Sequence, residues 1–239
     1  MQDIEKIYGL HACVSVLNNK QRNIIEVLCT DGTLQKIRDK INNLKYLNKL
    51  KVLKRKDLDD RLQTKVHQGI AIFCEKRKIN FTNKYLNNER EILILDSLND
   101  SQNVGSIIRS AYLFGIQYIF FNEKNSFSIN STLIKAASGS YENVYLIPVK
   151  NIVNFIKDLK KNDFWIFGLD NFGEKKITEI GSETKKAIIL GSESRGIRKL
   201  IKEKCDFLVK IPMLKNDLNI DSLNVSNAAS ILFYELSKK

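Results

Sequence analysis

The sequence predicts an α/β protein in which a large, mostly parallel sheet with helices on both faces follows a smaller α/β unit. Short apolar runs at 92–95, 118–121, 144–147, 164–169, 187–190 and 207–211 alternate with helical segments, clearest at 103–114, 150–160 and 224–237. Strands that read as continuous apolar runs and alternate with helices belong to a sheet buried on both faces. Ahead of them, residues 77–90 (RKINFTNKYLNNER) lose all periodicity and read as a linker. The chain therefore divides into a basic N-terminal domain at 1–76, a linker at 77–90 and a larger domain at 91–239.

In the first domain Ile7, Leu10, Val14 and Leu17 recur at helical spacing, which predicts an amphipathic helix over 4–17. The run 24–29 reads as a strand, Asp31 and Gly32 as a turn, and Thr33 as the cap of a helix reaching about Leu44. Between Lys36 and Lys56 nine basic residues meet one acid, Asp39. GIAIFC at 69–74 reads as a second strand that closes the unit.

The composition is globular, with 43% hydrophobic and 28% charged residues and only 11 Gly and 2 Pro, which excludes a disordered or collagen-like chain. No apolar run approaches the roughly 18 residues of a membrane span, and MQDIEKIYGL lacks the order of a secretory leader, so a cytoplasmic protein is expected. Cys13, Cys29, Cys74 and Cys205 are dispersed without a C-x-x-C pair and predict neither disulfides nor zinc. The net charge of +12 is concentrated in residues 1–90, where 19 basic residues face 10 acidic ones. Such clustering points to a polyanion, nucleic acid before any other.

Three polar clusters fall where apolar strands end or before the last helix: 96–109 (DSLNDSQNVGSIIR), 191–196 (GSESRG) and 222–229 (SLNVSNAA). Open α/β sheets hold ligands at such strand ends. Taken alone, Asn103 reads as a helix N-cap and Arg109 as half of an ion pair, while the glycines around Glu193 either receive a ligand or turn the chain. Neither a G-x-G-x-x-G nor a P-loop pattern is present. His11 and His67, both in the first domain, read as structural or RNA-facing, which leaves the second domain without a histidine base or ligand. Trp165 reads as core.

Together and in this order, NVGSIIRSA, ILGSESRGI followed by VKIPM, and SLNVSNAAS resemble the three motifs of the SpoU (TrmH) family of RNA ribose 2'-O-methyltransferases in the SPOUT superfamily. IYGLHA and HQGI near the N-terminus are similar to the RlmB-like branch, whose small ribosomal-protein-like domain binds large-subunit rRNA. The chain departs from the usual motifs at Ser101, Ser106, Ser194 and Asn227.

The resemblance implies a C-terminal SPOUT domain tied in a deep trefoil knot, a homodimer with active sites at the subunit interface, and S-adenosylmethionine as cofactor with no metal. It implies cofactor contacts at Leu169, Gly191, Ile211, Met213, Leu223 and Asn224. It also implies a reaction centre of Asn103, Arg109, Glu193, Ser222 and Asn224, in which Arg109 engages the ribose hydroxyl as base or through the adjacent phosphate with Asn103 orienting it, Glu193 orients Arg109 or binds RNA, and Ser222 and Asn224 complete the pocket. A guanosine of 23S rRNA is the expected target, with a tRNA ribose or a non-catalytic role in ribosome assembly as alternatives.

Overall fold

The computed structural model describes residues 3–41, 44–79, 81–82, 86, 89–124, 126–181, 185–214 and 222–238. The chain forms two units, Met1–Lys78 with Ile129–Asn143, and Ile79–Ser128 with Val144–Lys239.

The first unit is a four-stranded sheet with helices packed on it. Its elements are β1 (Ile4–Tyr8), α1 (Leu10–Asn18), β2 (Ile24–Cys29), α2 (Asp31–Ile37), β3 (Leu50–Val52), α3 (Arg55–Leu62) and β4 (Ile70–Glu75), joined by the later helix α5 (Ser131–Ala136). The strand order is β1-β4-β2-β3, antiparallel except for the parallel pair β2 and β3. The expected helix over 4–17 is corrected to a strand and a helix divided at Gly9, whose φ of +100° suits glycine. Ile7 satisfies period two as well as helical spacing, and pairing with Ile72 of β4 decides between them. Asp31, Gly32 and Thr33 are not a turn and cap but lie inside α2, which follows Thr30 and gives way at Ile37 to a 3-10 turn. The basic stretch contains β3 and the start of α3, neither of which its polar composition announces.

Residues 129–143 join this unit through a buried polar network. Arg22, 6% exposed, donates from Nη2 to Glu5 Oε2 at 2.5 Å, and its Nε lies 3.5 Å from Glu142 Oε2. The Tyr141 hydroxyl donates to Glu5 Oε1 at 2.8 Å. His67, fully buried, bonds Asp59 at 2.5 Å and accepts from the Gly69 amide, a structural role.

The second unit is built on β5 (Glu91–Asp96), β6 (Tyr118–Asn122), β7 (Tyr145–Val149), β8 (Phe164–Leu169), β9 (Lys175–Lys176), β10 (Lys185–Gly191) and β11 (Phe207–Lys210). They form one parallel sheet in the order β7-β6-β5-β10-β8-β11-β9. Helices α4 (Ser101–Leu113), α6 (Ile152–Lys160), α7 (Lys199–Lys202) and α8 (Val225–Ser237) accompany it. Ile92, Ile94, Phe120, Ile166, Ala187 and Ile189 centre one side of the core with Ile156 and Leu159 of α6. Leu86 is buried in that core, and Phe81 meets Phe120 edge-on at 5.2 Å. Trp165 is 45% exposed and stacks on Phe207 at 5.6 Å, not in the core as expected, because it occupies the strand face opposite Phe164 and Ile166.

Candidate active site at the ends of β5 and β10

Asp96 and Gly191, the last residues of β5 and β10, are register partners in the parallel sheet, so the two loops that follow leave it side by side. In the first loop Ser97 adopts φ +60° and its hydroxyl bonds Asp96. The N-cap of α4 is Asp100, whose carboxylate accepts from the Asn103 amide N–H at 2.7 Å. This corrects the reading of Asn103 as cap: three positions further on, its side chain is free to bond elsewhere. Ser101 occupies the first helical position, where the proline usual in the motif is tolerated but not required.

Asn103 joins the three clusters. Its Nδ2 donates to Glu193 Oε1 at 2.6 Å, and its Oδ1 accepts from Asn224 Nδ2 at 3.1 Å. Asn224 in turn caps α8, accepting from the Ser226 amide at 2.9 Å and the Ser226 hydroxyl at 2.6 Å. Each side chain is thus fixed by the end of a helix or the turn of a strand.

The Glu193 loop closes on itself, with Ser192 and Gly196 bridged and Gly196 at φ +65°. Ser194, where the family often has glycine, lies outside the left-handed region and carries its side chain without strain. Gly191 has no such freedom, since a Cβ there would meet the Gly196 carbonyl carbon at 2.1 Å and the Ile197 nitrogen at 2.2 Å. The loop is tied down beyond Ile197: Asp96, fully buried, accepts from Arg198 Nε at 2.7 Å and from the Arg198 amide at 2.9 Å.

Beside this network lies a cleft of about 440 Å³ lined by Leu169, Gly191, Glu193, Ser222 and Leu223 among others. A smaller recess is shared by Leu169, Ile211, Met213 and Leu223. Met213 and Leu223 keep 44% and 38% of their surface exposed, apolar area that a flat heteroaromatic ligand would cover. Asp170, also on the cleft, is paired with Lys202. Of the residues singled out in sequence, all but Arg109 meet in the network, the cleft or the recess. Arg109 is exposed on α4, six residues beyond Asn103, and lines neither cavity.

Asp96, Asp100, Asp170 and Arg198 were not anticipated as site residues. Asp100 carried a signal, an acidic residue just ahead of a helix; the pairing of Asp96 with Arg198 has none, because it spans two strands' loops. Burial pushes the thiols up, Cys29 to about 11 and both Cys74 and Cys205 to about 12, which leaves them poor nucleophiles. Among the described residues no group of three His, Cys, Asp or Glu could hold a metal, and no helix is long and apolar enough to cross a membrane.

Residues 90–234 match the model of the SpoU rRNA Methylase family. The chain belongs to the SpoU (TrmH) family. Residues 6–79 match a second model, RNA 2'-O ribose methyltransferase substrate binding. A Staphylococcus aureus protein named as a TrmH family tRNA/rRNA methyltransferase is 34% identical over 186 residues, 75% of this chain and 74% of its own length. A Staphylococcus epidermidis protein of the same name is 31% identical over 246 residues, covering 100% of this chain and 97% of its own. The fold is shared with the SpoU methyltransferase AviRb of Streptomyces viridochromogenes, solved in complex with AdoMet, at a TM-score of 0.77 and 16% identity over 98% of this chain and 89% of that one. In this SpoU family chain the match over 90–234 includes residues 129–143, which fold into the first unit.

Proposed function

We infer that this SpoU family chain is an S-adenosylmethionine-dependent RNA ribose 2'-O-methyltransferase, and we propose a guanosine of 23S rRNA as its target. The observation that carries the reading is Asn103 bridging Glu193 and Asn224 beside a cleft with apolar walls. The basic first unit, matched to a substrate-binding model and similar to the RlmB-like branch, supports ribosomal RNA.

The cleft suits the cofactor: Leu169, Ile211, Met213 and Leu223 offer apolar walls, and Gly191 lets backbone approach where any side chain would intrude. When bound, the cofactor supplies a sulfonium methyl group open to in-line displacement by an oxygen nucleophile, with no need of a metal. The protein's part is to hold the ribose hydroxyl in line and keep water out. Asn103, locked between Glu193 and Asn224, orients the reacting segment, and Ser222 completes the rim of the pocket. Arg109, whose guanidinium offers donors and no acceptor, engages the phosphate beside the target hydroxyl through charge-assisted hydrogen bonds.

Arg109 acts in the assembly of two copies. It shares a face of α4 with Leu113, four residues on and 68% exposed, and neighbouring α8 exposes Ile231 at 39% and Tyr234 at 54%. Pairing through this apolar face buries it and brings Arg109 into the interface, which supports a homodimer whose sites lie between copies. An RNA substrate fits a cytoplasmic enzyme.

Labelled methyl transfer from S-adenosylmethionine to unmodified 23S rRNA and, separately, to tRNA, with nuclease mapping, tests the reading. Label at one 23S guanosine 2'-position supports it; label in tRNA alone replaces the target. A protein that binds RNA but transfers no methyl to either is a ribosome-assembly factor instead.

A further inference from the structure

The open end of the small sheet in the first unit has the character of a second binding site. α3 roofs one face of this sheet, where Leu58 and Leu62 pack on Tyr8, Leu28 and Ala71. Its 8 residues extend about 12 Å. The 6 residues of β4 run about 20 Å, so part of the face stays uncovered. There a groove of about 510 Å³ is lined by Phe73, Ile4 and Ile25, the last two 52% and 40% exposed.

The β3 side of this groove is basic. Lys49 and Lys51 line it. Glu26 bonds both Lys51, at 2.7 Å, and Arg61, at 2.6 Å, while their side chains stay 64% and 52% exposed. One carboxylate therefore fixes two cations along the rim and leaves them surface for a further anion.

We propose that this groove receives an unpaired nucleotide of the substrate RNA, its base against Phe73, Ile4 and Ile25 and its phosphates against Lys51 and Arg61. Unpaired bases are recognised by stacking on aromatic and apolar side chains, with the backbone held by cations. A paired base, its faces already stacked, offers nothing to the apolar wall, so the groove selects single-stranded over duplex RNA. The excess of 19 basic over 10 acidic residues in the first 90 favours this occupant over a protein partner. The proposal rests on RNA being the substrate and adds where, and in what form, the first unit holds it.

The test uses the full-length protein and a short mixed-sequence RNA carrying 4-thiouridine, single-stranded or annealed to its complement. Fluorescence anisotropy gives affinity, and photo-crosslinking followed by peptide mapping gives location. The single strand is expected to bind more tightly and to crosslink to peptides from β1, β2 or β4. Ile25→Ser and Lys51→Gln each weaken it by about tenfold, and Lys51→Gln also lowers the steepness of the salt dependence. S-adenosylmethionine affinity stays unchanged in both variants, and melting temperature in Ile25→Ser; Lys51→Gln gives up its pairing with Glu26 and melts slightly lower. Wild-type affinity in both, crosslinks confined to other peptides, or no preference for the single strand overturns the proposal. So does a change of oligomeric mass in Ile25→Ser with RNA affinity intact, which makes the groove a protein interface. Affinity and crosslinks are read without methyl transfer, so failure of the proposed reaction is seen separately from failure of this site.

Discussion

Asn103 and Glu193 lie 90 residues apart in the chain, yet the amide of one donates to the carboxylate of the other at 2.6 Å. The contact follows from sheet order: β5 and β10 are neighbours in register, so the loop after one must run beside the loop after the other. Asn224, bonded to the same Asn103, brings in the start of α8. Removing this join should cost geometry before it costs stability, because the side chains are not deeply buried. Asn103→Ala is expected to lower turnover on the order of 10²-fold and folding stability by about 1 kcal/mol or less. Methyl-transfer kinetics and urea denaturation measure the two; a large loss of stability with normal turnover contradicts the assignment.

Arg109 is predicted to matter for turnover and not for cofactor binding. Arg109→Ala should keep its S-adenosylmethionine affinity in calorimetry and the wild-type oligomeric state in sedimentation while losing most methyl transfer. Arg109→Lys should recover only part, since an ammonium cannot reproduce the guanidinium fork on a phosphate. Near-normal turnover in Arg109→Ala removes the residue from the reaction.

Gly191 tests the cofactor side of the cleft. An alanine Cβ would stand 2.1 Å from a backbone carbon of Gly196, so the Glu193 loop must move to admit it. Gly191→Ala is expected to abolish measurable S-adenosylmethionine binding while RNA affinity, proposed to reside in the first unit, changes little. Titration of each ligand separately checks both halves of the expectation.

Arg22 holds residues 129–143 to the first unit. It is buried between Glu5 and Glu142, and truncation leaves two carboxylates without their cation. Arg22→Ala should destabilise the unit by about 3–5 kcal/mol in urea denaturation. For the same reason a fragment lacking residues 1–78 uncovers Tyr141 and Glu142, which are 4% and 8% exposed, and should be unstable. The division of labour between the units is better tested by point variants in the whole chain.

Glu26 gives a pH dependence. The hydrogen bond from Lys51, with the charge of Arg61, holds its carboxyl below the usual carboxylate range. The folded chain therefore releases this proton more readily than the unfolded one. The contribution to stability is complete above the unfolded pKa of about 4.3 and fades as pH falls through the lowered folded value. Glu26→Gln should show a shallower loss of stability on acidification over that window, followed by thermal melts at stepped pH. Equal slopes in variant and wild type exclude the pairing as a source of acid sensitivity.

Period and punctuation were sufficient where one element decides its own conformation. The run at 164–169 is β8 without adjustment, and the helices expected at 103–114, 150–160 and 224–237 differ from α4, α6 and α8 only at their ends. They failed where a partner strand decides: Ile7 fits two periods, and β4 selects one. Polar stretches were opaque for a related reason, since β3 is held by its ladder to β2 and not by an apolar pattern of its own. Of the candidate site, two clusters were visible as polar breaks after apolar strands and the third as a polar stretch before the last helix, whereas the cap at Asp100 and the tie from Asp96 to Arg198 were not.

The sequence by itself determined the α/β class, the skew of positive charge and the family motifs that name the chemistry, because periodicity, composition and local spacing are properties of neighbours along the chain. Only the tertiary structure decided that Asn103 bridges Glu193 and Asn224, that residues 129–143 belong with the first unit, and that Phe73 lines an open groove. Each of these depends on strand order and on how far a helix reaches across a sheet, and hydrogen bonds over such distances in sequence form only once the backbone has closed around them.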